Sequence, residues 1–280
     1  MEEILRVEDL HYTYADGTIA LNGINLTIKK GEKVAIMGAN GSGKSTFFLQ
    51  LNGILKPTKG RILIEGEPIN YSRKGLLSIR KKVGIVFQNP DSQLFSASVV
   101  QDISFGILNL GVGKVEALEK VNRVMEELDI QEFSEKPTHF LSGGQKKRVS
   151  IADILVMEPD IMIFDEPTSE LDPKHARMID EIIDLLTQRG ISVILSTHNV
   201  GSALGWADRV VIFDEGKIVG DGTPEEIFTD EALLEKTNLE KPGVLRIFEA
   251  MCQAGLLDRE RKLPRTMEDL EEYIKERAKG

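Results

Sequence analysis

Between the apolar run Val34–Met37 and the segment Lys44–Leu51 lies Gly38-Ala39-Asn40-Gly41-Ser42-Gly43-Lys44-Ser45, followed by Thr46. This G-x-x-x-x-G-K-S spacing constrains the chain more than any other feature. Glycines let the backbone turn tightly, so that successive amide N–H groups point into one concavity. A helix beginning near Lys44 adds the positive end of its dipole. Lys44 can then reach β- and γ-phosphates, and the Ser45 hydroxyl can coordinate Mg2+. An apolar strand, a glycine-rich turn and a helix in that order predict a nucleoside triphosphate site.

The rest of the chain fits an α/β fold. Val83–Phe87, Ile161–Phe164, Val193–Ser196 and Val210–Phe213 read as further buried strands, alternating with helical patterns as in a mostly parallel sheet. Residues 89–160 break that rhythm and predict an inserted helical subdomain, with Val115, Leu118, Val121, Met125 and Leu128 on one helix face. The first sixty residues predict an antiparallel β layer: Leu5–Leu10, Asn22–Ile28 and Arg61–Ile64 alternate, separated by Asp16-Gly17, Lys30-Gly31 and Lys59-Gly60 turns. Residues 1–240 are therefore expected to form the nucleotide domain and 241–280 a C-terminal helical extension. Residues 221–280 hold 15 acidic and 10 basic side chains, half of the net charge. Thr223-Pro224-Glu225-Glu226 has the N-cap, Pro and Glu of a helix start. Thr266–Asp269 offers a second start, for a helix over 267–278 with the apolar stripe Met267, Leu270 and Ile274.

Composition narrows the function class. The 280 residues suffice for one or two domains, and a hydrophobic share of 41% supports a core without disulfides. A net charge of −10 argues against a free-standing nucleic-acid binder. The single cysteine, Cys252, cannot form an internal disulfide, which points to a reducing compartment. No apolar run approaches the roughly 20 residues that span a bilayer, and the acidic Met1-Glu2-Glu3 is unlike a signal peptide. The expectation is a chain that neither crosses the membrane nor is secreted, though it could dock onto a membrane protein. His11, His139, His175, His198 and Cys252 are scattered without metal-ligand spacing.

Two further segments define the kind of nucleotide site. The strand Ile161–Phe164 ends in Asp165 and Glu166. A carboxylate at the C-terminal edge of a strand beside a phosphate loop suits Mg2+, directly or through water, so Asp165 is the metal partner. Glu166 is then the candidate that polarises the attacking water. Leu141-Ser142-Gly143-Gly144-Gln145 offers amides and a hydroxyl to an anion just ahead of Lys146, Lys147 and Arg148.

That pentapeptide resembles the signature of the ATP-binding-cassette ATPases, and it falls between the phosphate loop and Asp165 as in that family. The resemblance covers residues 1 to about 240. It implies that Tyr14 is the adenine-stacking aromatic, with Tyr12 the near alternative. It implies that Gln88 joins Mg2+ and water to the helical subdomain. Asp172 resembles the aspartate that communicates across a dimer, and His198 the switch histidine at the γ-phosphate. It further implies a dimer with composite sites, in which ATP lies between Gly38–Thr46 of one subunit and Ser142, Gly143 and Gly144 of the other. Glu166, His198 and Gln88 form the expected catalytic set, with Ser45, Gln88 and Asp165 toward Mg2+. Three positions depart from the usual pattern: Glu170 replaces a small residue, Asn199 an aspartate, and Lys147 a frequent glutamine. Asp153 is also unusual, interrupting an apolar helix pattern.

The phrase Gln88-Asn89-Pro90-x-x-Gln93-Leu94-Phe95 closely resembles the ATPases of energy-coupling-factor importers, which take up vitamins, cobalt and nickel. With Leu94 and Phe95 exposed, this near-neutral segment could receive a partner's helix. Within that group the chain looks most like the cobalt-type subunit. The resemblance implies a membrane coupling subunit and a substrate-binding membrane subunit as partners, an identical or homologous second ATPase, and a place on the cytoplasmic face of the cell membrane. A vitamin importer, a regulatory subunit and a non-transport ATPase acting with nucleic acid are the alternatives. The last usually carries a long coiled-coil insertion or a second cassette, and neither is present here.

Overall fold

The computed structural model describes residues 2–279. The chain opens with β1 (Glu3–Thr13) and β2 (Ile19–Lys29), then β3 (Lys33–Met37), α1 (Lys44–Leu51), β4 (Lys59–Ile64) and β5 (Glu67–Pro68). It continues through α2 (Arg73–Lys82) and β6 (Val83–Val86) into three helices, α3 (Val99–Asn109), α4 (Lys114–Glu127) and α5 (Gly143–Leu155). Then follow β7 (Ile161–Phe164), α6 (Pro173–Gln188), β8 (Ser192–Ser196), α7 (Val200–Trp206), β9 (Arg209–Asp214) and β10 (Lys217–Gly222). Four helices close the chain: α8 (Pro224–Thr229), α9 (Glu231–Thr237), α10 (Gly243–Gln253) and α11 (Met267–Lys279).

Two sheets result. One has the order β2-β1-β4-β5, and its pairs are antiparallel. The other has the order β10-β9-β3-β8-β7-β6 and is parallel except for β10. The parallel strands are apolar on both sides because helices or the other sheet cover both faces. On β7, Ile161 and Ile163 face the antiparallel layer and α1, whereas Met162 and Phe164 face α5 and α6. Helix α1 is packed between the two sheets through Phe47 and Phe48, both fully buried. Each contributes about 2–3 kcal/mol of burial, which fixes the phosphate loop at the helix start.

Several local expectations are corrected. In α4 the buried face is Ala117, Val121, Val124 and Met125, continued by Leu128; Val115 and Leu118 are exposed. Lys59-Gly60 is not a turn but the start of β4, where Gly60 at φ +86° lets the strand approach Asp9; a Cβ there would lie 2.1 Å from the Asp9 carbonyl oxygen. Leu94 is buried, and Phe95 alone of that pair is exposed. In α11 the inward residues are Leu270 and Tyr273, while Met267 and Ile274 are largely exposed. Position 240 falls inside one apolar cluster: Val244, Leu245, Phe248 and Leu270 share it with Ala35, Met37, Val210 and Ile212 of β3 and β9. The helices after 240 are therefore packed on the central sheet and are not a separate core. The capping box predicted at Thr223 and Glu226 is present.

Candidate nucleotide site

The C-terminal ends of β3, β6, β7 and β8 lie at one edge of the parallel sheet, where open α/β sheets bind ligands. They deliver the loop 38–45, Gln88, Asp165 with Glu166, and His198. Gly38 has φ +142°, and a Cβ there would stand 2.1 Å from the Phe213 carbonyl oxygen. Gly43 has φ +106°, and its Cβ would stand 2.6 Å from the Ala20 carbonyl oxygen. These two glycines let the loop wedge between β9 and β2. Lys44 donates to the carbonyls of Gly38 (2.8 Å) and Ala39 (3.0 Å), curling over its own loop. Burial lowers its pKa, while the charges of Glu166 and Asp165 oppose that shift.

Asp165 is held at both oxygens. Ser45 Oγ donates to one (2.7 Å) and Ser196 Oγ to the other (2.6 Å). Ser196 Oγ also accepts from the Glu166 amide at 2.8 Å, so one hydroxyl positions both acids. Ser196 is the residue that the sequence reading missed; a polar terminus on a strand neighbouring β3 was the available signal. Glu166 adopts φ +43°, a left-handed conformation that costs a non-glycine residue about 1–3 kcal/mol. That backbone aims the carboxylate at Gln88 Nε2 (3.3 Å) and His198 Nε2 (2.7 Å). The three expected catalytic side chains thus meet.

A cavity of about 420 Å³ opens over this cluster, lined by residues that include Tyr14, Ile19, Asn40, Lys44, Gln88 and Glu166. Tyr14 Oη lies 2.8 Å from Thr46 Oγ1, while Tyr12 stands behind it as an edge-to-face partner at 4.9 Å. Tyr14, not Tyr12, is therefore at the rim. Thr18, Ile19 and Ala20 also line the cavity and carried no sequence signal of that role. The buried Ser42 Oγ has no hydrogen-bond partner, an orphaned donor inside the phosphate cradle. The oxygen donors of Ser45 and Asp165 suit a hard cation such as Mg2+. The cradle fits a nucleoside triphosphate with its metal.

The signature residues are elsewhere. Leu141–Gln145 are not among those lining the cavity. Ser142 caps α5, its Oγ accepting from the Gln145 amide while Gln145 Oε1 accepts from the Ser142 amide. Gly144 is pressed against His175 of α6, where a Cβ would stand 2.4 Å from the ring. Asp172 caps α6, accepting from the amides of Lys174 and His175, and pairs with His175 Nδ1. These hydrogen bonds hold its carboxyl below the usual range, the His175 side chain contributing most.

A glycine-cradled phosphate loop beside an aspartate-ended strand, with a distant Ser-Gly-Gly helix cap, defines a P-loop ATPase of the cassette type. Residues 21–169 match the family described as ABC transporter. Over 281 residues the chain is 48% identical to the energy-coupling factor transporter ATP-binding protein EcfA of Methanococcus maripaludis, covering 99% of both. It is 47% identical to EcfA3 of Clostridium perfringens, over 89% of this chain and 87% of that protein. The solved structure of cbiO1 from Clostridium perfringens, described as part of the ABC transporter complex cbiONQ, superposes with a TM-score of 0.74. It is 46% identical, and the match covers 90% of this chain and 99% of that one. The chain belongs to the ABC transporter ATPase family, among the ATP-binding proteins of energy-coupling-factor transporters.

Proposed function

We propose that this ATPase powers uptake of a transition metal, cobalt foremost, through separate membrane subunits, and that it works as a dimer with two composite sites. The observation that carries the dimer is the separation just described. Asn40, Gly41, Gly43–Thr46, Gln88 and Glu166 line one cavity, with Asp165 tied to Ser45 beneath it, whereas Ser142, Gly143 and Gly144 are not among its lining residues, so each half needs a second chain's complement. A related cassette structure, 27% identical, is described as a dimer in a post-hydrolysis state bound to ADP and Pi.

In this reading Gly38–Thr46 hold the phosphates, Tyr14 takes the base, and Ser45, Asp165 and Gln88 face Mg2+. The metal would neutralise charge developing on the transferred phosphoryl group. Glu166 takes a proton from the attacking water, and His198 and Gln88 fix the carboxylate's direction. Asp172, beside the signature helix, carries communication between the subunits. Replacing Gly144 with alanine forces the His175 ring from its place and so distorts the signature turn. ATPase activity of Gly144→Ala is expected to fall at least about tenfold, while binding of an ATP analogue to the phosphate loop of the isolated chain stays unchanged.

The membrane partners would dock through the segment after Gln88. Phe95 is 66% exposed and meets the half-exposed Phe105 edge-to-face at 4.9 Å, an aromatic pair without cover on this chain. Among the described residues no helix is long and apolar enough to cross a membrane. The likeness to the ATP-binding proteins of energy-coupling-factor transporters supports a place at the cytoplasmic face of the cell membrane, beside a coupling subunit and a substrate-binding subunit, with an identical or homologous second ATPase. The metal reading rests on the likeness to cbiO1 and to the cobalt-type subunit; the Gln88–Phe95 phrase supports the importer class. Uptake of radioactive Co2+ into proteoliposomes carrying the purified complex tests it. ATP-dependent Co2+ accumulation, competed by Ni2+, is expected; accumulation of a vitamin with no metal uptake would replace cobalt in this account.

A further inference from the structure

Lys147, one of the departures noted in the sequence, is buried under the Gln88 loop. Lys147 lies in the second turn of α5, five residues after the capping Ser142, and is only 1% exposed. A buried ammonium needs acceptors. Its Nζ donates to the carbonyls of Phe87 (3.0 Å) and Gln88 (2.6 Å), the residues leading from β6 into the loop. Burial pushes its pKa down to about 8, and the negative charges of Asp165 and Glu170 counteract that fall.

Lys147 does not act alone. From the same helix Lys146 Nζ pairs with Asp91 at 2.6 Å, and the Ser150 carbonyl accepts from Gln93 Nε2 at 2.7 Å. Asp153 Oδ2 accepts from the same nitrogen at 3.4 Å. Burial, aided by the Asp102 charge, raises the Asp153 carboxyl pKa. Asp102 in turn accepts from the amides of Phe95 and Ser96. Helix α5 thus grips the segment 87–93 at successive turns.

We propose that Lys147 is a positioning residue for ATP hydrolysis: its ammonium ties the main chain of Phe87 and Gln88 to the signature helix, so that the Gln88 carboxamide and the Ser142–Gly144 turn move as one body. This rests on the proposed roles of Gln88 and the signature. Phe95, two residues beyond this segment, pairs with Phe105 of α3, so a load applied there is passed to one half of each composite site. Lys147 is not among the residues lining the nucleotide cavity. Its removal should alter turnover and leave nucleotide affinity alone.

Two measurements test this. The first compares steady-state ATPase kinetics of wild type, Lys147→Met and Lys147→Gln. Methionine keeps the length and loses every donor; glutamine keeps two N–H donors without charge. The expected result is a kcat about tenfold lower for Lys147→Met, with ATP KM unchanged, and recovery of most of kcat in Lys147→Gln. Equal kcat in Lys147→Met and wild type, or a raised KM as the main effect, would overturn the proposal. The second needs no substitution and no activity: amide hydrogen exchange of the wild-type chain in increasing denaturant. The amides of Ser92, Gln93 and Leu94 should lose protection together with those of α5. Exchange of that loop at the rate of a free surface turn, with α5 still protected, would refute the link. A wild-type chain without ATPase activity would defeat the reading of the site, and the exchange result would still decide whether the two segments are joined.

Discussion

Glu166→Gln is expected to bind ATP as wild type does, to hydrolyse it about a thousandfold more slowly, and to accumulate as an ATP-bound dimer. The substitution is nearly isosteric, so Ser196 Oγ still receives the residue-166 amide and the left-handed backbone is retained. What is lost is the basic oxygen, with the contact that His198 Nε2 makes to it at 2.7 Å. Phosphate binding by the loop 38–46 is untouched, so the ligand-driven closure of the dimer goes forward and its reversal by hydrolysis does not. Phosphate release measured in single turnover, with gel filtration in ATP, reads both effects. Full turnover by this variant would remove Glu166 from the water-activating role.

Lys44→Ala should lose nucleotide affinity roughly a hundredfold, the equivalent of one charge-assisted contact to a phosphate. Lys44 is buried, and its ammonium lies over the loop through the carbonyls of Gly38 and Ala39. Removing it takes away the donor to the Gly38 carbonyl, while Ala39 still accepts from the Ser42 amide, and removes the one lysine that, among the described residues, lines the cavity. Calorimetric titration with ATP and Mg2+ measures the change. Unchanged affinity would contradict the assignment of the loop.

Lys44 was legible in the sequence for a physical reason. A phosphate cradle needs small residues, a cation and a helix start in consecutive order, so its chemistry is written within nine positions. The buried strands were equally plain, because both faces of the parallel sheet demand apolar side chains; β7 and α1 appear with the limits read from sequence. What depends on distant contacts was not. The α4 face was misplaced because Val115 and Leu118 are apolar yet look outward, while the small Ala117 packs inward. Gly60 read as a turn because its positive φ serves a close strand approach instead. Ser196 was passed over since its role exists only where β8 lies beside β7. Lys147 reads only as a departure from a frequent glutamine, and the packing of α5 under the Gln88 loop is what gives it partners. The C-terminal helices read as a helical extension, and the apolar residues by which they close over β3 and β9 depend on contacts the sequence does not show.

The proposed role stands or falls with the company the chain keeps in the cell. Affinity purification of the tagged protein from detergent-solubilised native membranes, with identification of every recovered chain, tests that most directly. The account predicts a polytopic coupling subunit, a small substrate-binding membrane protein whose bound solute is a transition metal, and a second cassette subunit if the dimer is mixed. Reproducible recovery of soluble proteins or nucleic acid alone would contradict it, leaving an ATPase with another task.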